Sequence, residues 1–201
     1  FQSLFRAGNT VTRQDFHRLH DELRVSVRFP GVQAVQFSRW LPQSERAAFE
    51  ANVRGDTSLS ASGYPDYTIH PPGVRPHYLA VTYNEPMAGN EVAFGHDSAL
   101  DPSLRELAER ARDLGQPQSS APIQLLQGRP GYVIRIPLYR AGQPLDSVTQ
   151  RRQAYLGQIS GVFQADALLR EIVQVQADSN YRVVLQDMGL AIPASDAAPD
   201  H

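Results

Sequence analysis

The run HYLAVTYNEP at residues 77–86 constrains the fold most. Aromatic and β-branched residues alternate there with small or polar ones at period two, and Pro86 closes the run, so the segment is a strand. The same signal recurs in VQAVQFSRWL (32–41), YLGQISGVFQ (155–164) and YRVVLQDMG (181–189). APIQLLQG (121–128) and GYVIRIPLYRAG (131–142) read as a hairpin through Arg129-Pro130, and YPDYTIHPPG (64–73) as a short strand broken by Pro71-Pro72.

Helices interrupt these strands. Thr12 with Asp15 makes a capping box, and Phe16, Leu19, Leu23 and Val27 follow at helical spacing until Pro30-Gly31 stops the run. SERAAFEANVRG (44–55) is a short helix ending on Gly55. The clearest helix follows Leu100: Asp101 caps it, Pro102 suits its first turn, Leu104, Leu107, Ala111 and Leu114 line one face, and Gly115 ends it. ADALLREIVQVQA (165–177) is a further helix, and the tail after residue 192 is small, polar and expected to be disordered. Strands outnumber the crossovers that a doubly wound parallel sheet requires, so the class is α+β with antiparallel sheets. The polar stretch 143–153 is the expected subdomain boundary.

Composition removes several chemistries. The 201 residues contain no cysteine, which excludes thiol nucleophiles, disulfides and cysteine-ligated metals. There is no lysine either, because all 19 basic residues are arginine, so lysine-dependent phosphate loops and Schiff bases are excluded. A net charge of −2 argues against a nucleic-acid surface. No run reaches the roughly 18 apolar residues of a membrane span.

Candidate catalytic groups have simpler readings. His17 and His20 have a chelating spacing, but spacing fixes no acidic partner except Asp21, which is expected to point elsewhere, so they read as a solvated helix face. His96 and Asp97, adjacent in an extended chain, point to opposite sides and do not form a base–carboxylate pair. The serines lack a G-x-S-x-G elbow. Glu85 reads as a structural cap. Arg135 sits inside an apolar strand, where it either binds an anion or lies on the solvent face; alternation with Tyr132 and Val133 favours the solvent face. Tyr64, Tyr67, Tyr78, Tyr83, Phe94, Tyr132 and Tyr139 crowd residues 64–139, and Tyr78, Ala80 and Thr82 share one strand face. Such a face either leaves room for a planar ligand or forms a core whose hydroxyls reach the surface. The pattern leaves both open.

In order, VTRQDF, FPGVQAVQFSRWLPQSERAAFE, the 64–97 stretch ending in FGHD, LRELAERARDLG, APIQLLQ, GYVIRIPLY and YLGQISGVF resemble a CHASE domain, over roughly residues 10 to 190. That family is the extracytoplasmic sensor of membrane-bound histidine kinases and diguanylate cyclases, and of plant cytokinin receptors. The resemblance implies stalk helices (1–30), a membrane-distal PAS-like ligand-binding subdomain (31–142) and a membrane-proximal PAS-like subdomain (143–192). It also implies a periplasmic location, a homodimer through the stalk and a transmembrane helix on each side, consistent with the start at Phe1 without a methionine. No cofactor, metal or catalytic residue is expected.

By the same resemblance the ligand-binding residues are Tyr67, His77, Tyr78, Ala80, Thr82, Phe94, Gly95, Asp97, Ser120, Ile123, Leu125 and Tyr132. Ser120 stands where the cytokinin receptors place a ligand-contacting threonine. His77 stands near their adenine-binding acidic residues, and a histidine lacks a carboxylate's pair of acceptors. The expected partner is therefore a small molecule of unassigned identity. Two other readings remain: a ligand-free dimerisation or partner-binding module, and a periplasmic hydrolase using His96 or His77 with a serine.

Overall fold

The computed structural model describes residues 1–6, 11–167 and 170, and the short pieces 186–187 and 190–191. The architecture is α+β: one antiparallel six-stranded sheet with helices on both faces. In chain order the elements are α1 (Gln2–Arg6), α2 (Arg13–Glu22), α3 (Val25–Arg28), β1 (Val32–Pro42), α4 (Arg46–Arg54), β2 (His77–Glu85) and α5 (Pro102–Leu114). There follow β3 (Gln118–Ser119), β4 (Ile123–Gln124), β5 (Pro130–Tyr139), α6 (Val148–Ala154) and β6 (Tyr155–Gln164). A further two-stranded pair joins β7 (Gln186–Asp187) to β8 (Leu190–Ala191).

The sheet runs β2-β1-β6-β5, with β3 and β4 both pairing along the outer edge of β5. β6 therefore lies in the middle of the sheet, paired with β1 on one side and β5 on the other. The expected division at residue 143 does not fall between two sheets. The polar stretch holds α6, opened by a Ser147–Gln150 capping box, and returns the chain into the sheet it has just left. Most of the expected 165–177 helix and 181–189 strand, and the tail from 193, lie outside the described residues.

Alternation along the strands gives the sheet two faces. One carries Val35, Phe37, Ile159 and Leu138, covered by Phe5, Phe16 and Val25 of α1–α3, and farther along by α4 over Leu41, Tyr78 and Ala80. The other carries Ala34, Val133 and Val162 under Leu125, and Leu79 with Tyr155 under Ala99 and Ala108. The expected continuous helix through Val27 is broken: the chain turns at Arg24 (φ 50°), and Val27 is 67% exposed. The buried face of α2 is Arg13, Phe16 and His20, so the first 30 residues pack on the sheet where their positions are described. His20 is buried, not solvated, and His17 meets Asp21 at 3.3 Å and Glu85 at 3.1 Å.

The free edge of β2 is closed by a strap, as exposed sheet edges usually are. Gly95 donates to the Val81 carbonyl, Val81 to that of His96 and Ser98 to that of Leu79, while His70 pairs along the strap's outer side. Gly95 has φ 88°, and a Cβ there would meet the Thr68 carbonyl at 2.3 Å, so only glycine fits. Asp97, 1% exposed, fastens the strap: its carboxylate accepts from the Leu79 and Ala99 backbone N–H groups and pairs with Arg75 at 2.8 Å. Replacing it removes the carboxylate from the half-buried Arg75 and strands two backbone N–H groups. Asp97→Ala is expected to lower the urea-unfolding free energy by about 3 kcal/mol; a loss within error of zero would remove Asp97 from this role.

Candidate functional site

The register of the central strands builds a row of buried polar side chains across an otherwise apolar face. Asn84 faces Gln36, Gln36 faces Ser160 and Ser160 faces Arg135 on successive strands β2, β1, β6 and β5. All four are buried. Gln36 donates to Asn84 Oδ1 at 3.0 Å, and Asn84 donates to the Asn90 carbonyl at 2.7 Å, which ties one end of the row to the loop after β2. Beside it, Gln158 donates to Ser160 Oγ at 3.3 Å.

Above the row lies a cavity of about 370 Å³. Gln36, Ser160, Arg135, Val133 and Val162 form its floor; the strap supplies His96 and Ser98; Leu100, Leu104 and the 123–127 turn form its roof. The turn is local in origin: Leu125 donates to the Arg129 carbonyl and Gly128 to that of Leu125, so a tight loop before β5 folds Ile123 and Leu125 over the sheet. Volume, apolar walls and a few convergent polar groups are the usual features of a small-molecule site.

Arg135 dominates the electrostatics. It is 2% exposed, Nη1 lies 3.3 Å from Ser98 Oγ, and Nη2 donates to the Ser98 carbonyl at 3.1 Å. Nε is buried without a partner, and no carboxylate among the described residues lies within ion-pair distance. Burial pushes the guanidinium down to about 10, weakly opposed by Tyr155 and Asp101, so it is charged at neutral pH. Burial, reinforced by His70, holds His96 below the ordinary imidazole value, so His96 faces the cavity as a neutral group.

A second cavity, about 630 Å³, lies on the opposite face between β1, β2 and the N-terminal segment. Three arginines border it, Arg13, Arg39 and Arg140; the buried one, Arg13, pairs with Asp56 at 3.0 Å, donates to the Thr82 carbonyl at 2.8 Å and lies over the Tyr64 ring, with Nη2 left unpartnered. Among the described residues no cluster of three His, Asp or Glu side chains is placed to hold a metal.

The expected ligand residues divide sharply. Ile123 and Leu125 line the cavity above Arg135; the other ten do not. Tyr78 and Ala80 are packed under α4, and the Tyr78 hydroxyl bonds to Gln43, the Gly73 carbonyl and the Arg75 N–H. The Tyr67 and Phe94 rings pack in a tilted arrangement with centroids 4.7 Å apart, and the Tyr67 hydroxyl donates to the Val81 carbonyl. Thr82 bonds back to the Ala80 carbonyl and borders the opposite cavity. Gly95 and Asp97 build the strap. His77 is exposed and stacks on Trp40 at 5.0 Å. Ser120 accepts from the Val133 N–H at 3.0 Å, fixing the turn, and Tyr132 alternates onto the other side of β5 from Val133 and Arg135.

Arg135 corrects the sequence reading, which placed it in solvent. VIRIP places apolar residues on both sides of the strand, the pattern of a strand covered on both faces and so without a solvent side; that was the available signal. Gln36, Ser98 and Ser160 carried none, because only cross-strand register makes them neighbours.

The family model for the CHASE domain matches residues 9–199. No curated protein gives a significant match. CHASE domains are extracytoplasmic, non-catalytic, small-molecule-sensing domains of signalling receptors. No described helix is long and apolar enough to cross a membrane.

An unpaired buried charge is costly, and replacing one with an apolar group of similar size is often stabilising. Arg135→Met is expected to raise the urea-unfolding free energy by about 1 kcal/mol; a loss of about 3 kcal/mol would make Arg135 a structural residue. With the cavity, the buried charge and the family match in place, the chain belongs to the CHASE domain family.

Proposed function

We propose that this domain binds its small-molecule signal in the cavity over the Gln36–Ser160–Arg135 row and passes the binding event to the opposite face of the same sheet. The observation that carries this is the cavity itself: apolar walls around an uncompensated buried cation. Protein interiors otherwise pack to crystal density and pair their charges.

The route of transmission follows from alternation. Gln36, Ser160 and Arg135 sit on β1, β6 and β5, next along each chain to Phe37, Ile159 and Ile136, which pack with α1–α3. The Phe5 and Phe37 rings lie 4.8 Å apart, and those of Phe16 and Tyr83 5.6 Å. A ligand that tightens the spacing of β1, β6 and β5 changes the surface on which the N-terminal helices rest. The bias it exerts equals its differential affinity for the two arrangements. In the full receptor these helices continue to a membrane anchor and a dimer interface, and the output is a cytoplasmic histidine kinase or diguanylate cyclase. The antiparallel sheet with its first and last strands adjacent at the centre supports a PAS-like reading of the ligand-binding part; a second, membrane-proximal unit would come from the chain after β6.

A hydrolase finds less support. Asp97 is occupied by Arg75 and two backbone groups, and His96 lies 5.5 Å, ring to ring, from His70. The Ser26 Oγ–His20 Nε2 contact at 3.4 Å lines none of the cavities described.

Leu104→Trp tests the site by filling the cavity from its half-buried roof position. A compound at 100 times its dissociation constant stabilises the native protein by about 2.7 kcal/mol and raises its melting temperature accordingly. In a screen of purines, amino acids, carboxylates and acyl lipids, active compounds should shift the wild type and not Leu104→Trp. An equal shift in both proteins places the ligand elsewhere.

A further inference from the structure

Resting on that reading of the cavity, we infer that the ligand is a small monocarboxylate with an apolar body, its carboxylate paired with Arg135 and its body under the roof formed by Leu100, Leu104, Ile123 and Leu125.

Three observations converge on this chemistry. First, Arg135 is held in place from one side only. Ser98 engages Nη1 and Nη2, whereas Nε stays buried without a partner. A guanidinium offers five N–H donors in a rigid plane, and a carboxylate satisfies two of them at once. Placing an anion here replaces a desolvated lone charge with a charge-assisted pair, and the low local dielectric that penalises a lone charge strengthens a paired one.

Second, the charge count favours a single negative charge. Arg135 is the one cation among the side chains lining the cavity, His96 is neutral there, and Asp101, capping α5 through the Leu104 N–H, adds negative charge at the mouth. A dianionic phosphate would leave one charge uncompensated and meet the Asp101 carboxylate. A monocarboxylate matches the one buried positive charge, while the exposed Asp101 keeps its own charge toward solvent.

Third, size and lining select the remainder. At roughly 30 Å³ per water-sized atom, 370 Å³ holds about a dozen non-hydrogen atoms. Away from Arg135 most of the wall is apolar, Val81, Val133, Val162 and the four roof residues, with Gln124 and Gln127 at the turn, a lining suited to a short alkyl chain or one aromatic ring. Gln36 and Ser160 beside the guanidinium can bond a second polar group near the carboxylate.

The test uses matched pairs on the whole chain. Phenylacetate, 3-phenylpropanoate and octanoate, each with its primary amide, are titrated by calorimetry and thermal shift against wild type, Arg135→Met and Arg135→Lys. The expected result is binding of at least one acid at least 30-fold tighter than its amide. Arg135→Met should abolish that preference, and Arg135→Lys should weaken acid binding about tenfold while keeping the preference. The Arg135 Nε–H resonance should move downfield on saturation with the bound acid, a readout that requires no variant to fold.

Equal affinity for acid and amide, or acid binding unchanged in Arg135→Met, overturns the carboxylate assignment. Silence of all three acids with an unmoved Nε–H resonance overturns it as well. Neither result touches the sensor reading, which Leu104→Trp and the broader screen judge separately: a neutral ligand lost in Leu104→Trp would preserve the site and exclude its anionic occupant.

Discussion

The pairing of β6 between β1 and β5 is the constraint on which the remaining structure depends. Its register sets Ser160 opposite both Gln36 and Arg135, and Ile159 opposite both Phe37 and Ile136. The first alignment makes the polar floor of the cavity, the second the apolar seat of the N-terminal helices. Slipping β6 by one residue would exchange the two faces and destroy both at once. Gly157 shows how close the strands run: a Cβ there would meet the Ser38 carbonyl at 2.1 Å.

Stability and site pull in opposite directions on this sheet. The face under α1–α4 carries aromatic and aliphatic side chains, and the cavity it encloses is bordered by an Arg13 already paired with Asp56. The opposite face divides into two apolar clusters separated by the polar row, with open space above it. The strap from Gly95 to Ser98 joins these demands: Asp97 secures it to β2 while its neighbours His96 and Ser98 turn toward the cavity. The alternation that removed His96–Asp97 from consideration as a catalytic pair is what lets one residue serve structure and the next the site.

How much could be seen in the chain beforehand differs from element to element. β2, α5 and the pairing of the 121–128 and 131–142 segments follow from periodicity and caps, because Asp101, Pro102 and Gly115 act within a few residues of where they stand. The break at Arg24 was hidden, since Leu23 and Val27 fit a helical repeat that packing then left exposed. The boundary at residue 143 misled for a related reason. A polar, well-capped helix looks like a linker, and whether it leads to a new sheet or back into the old one is decided by a strand arriving from far along the chain.

Aromatic density drew attention to tyrosines that the fold uses as struts: Tyr67 and Tyr78 spend their hydroxyls on backbone and neighbouring side chains. The sequence by itself determined the class of fold, the exclusion of lysine and cysteine chemistry, the family, and the presence of an arginine in a strand with no polar face to offer it. Only the tertiary structure decided that this arginine is buried beside Gln36 and Ser160 beneath Leu104 and the 123–127 turn. Neighbours across a sheet are chosen by register, which depends on interactions between distant segments and leaves no trace in the spacing of residues along the chain.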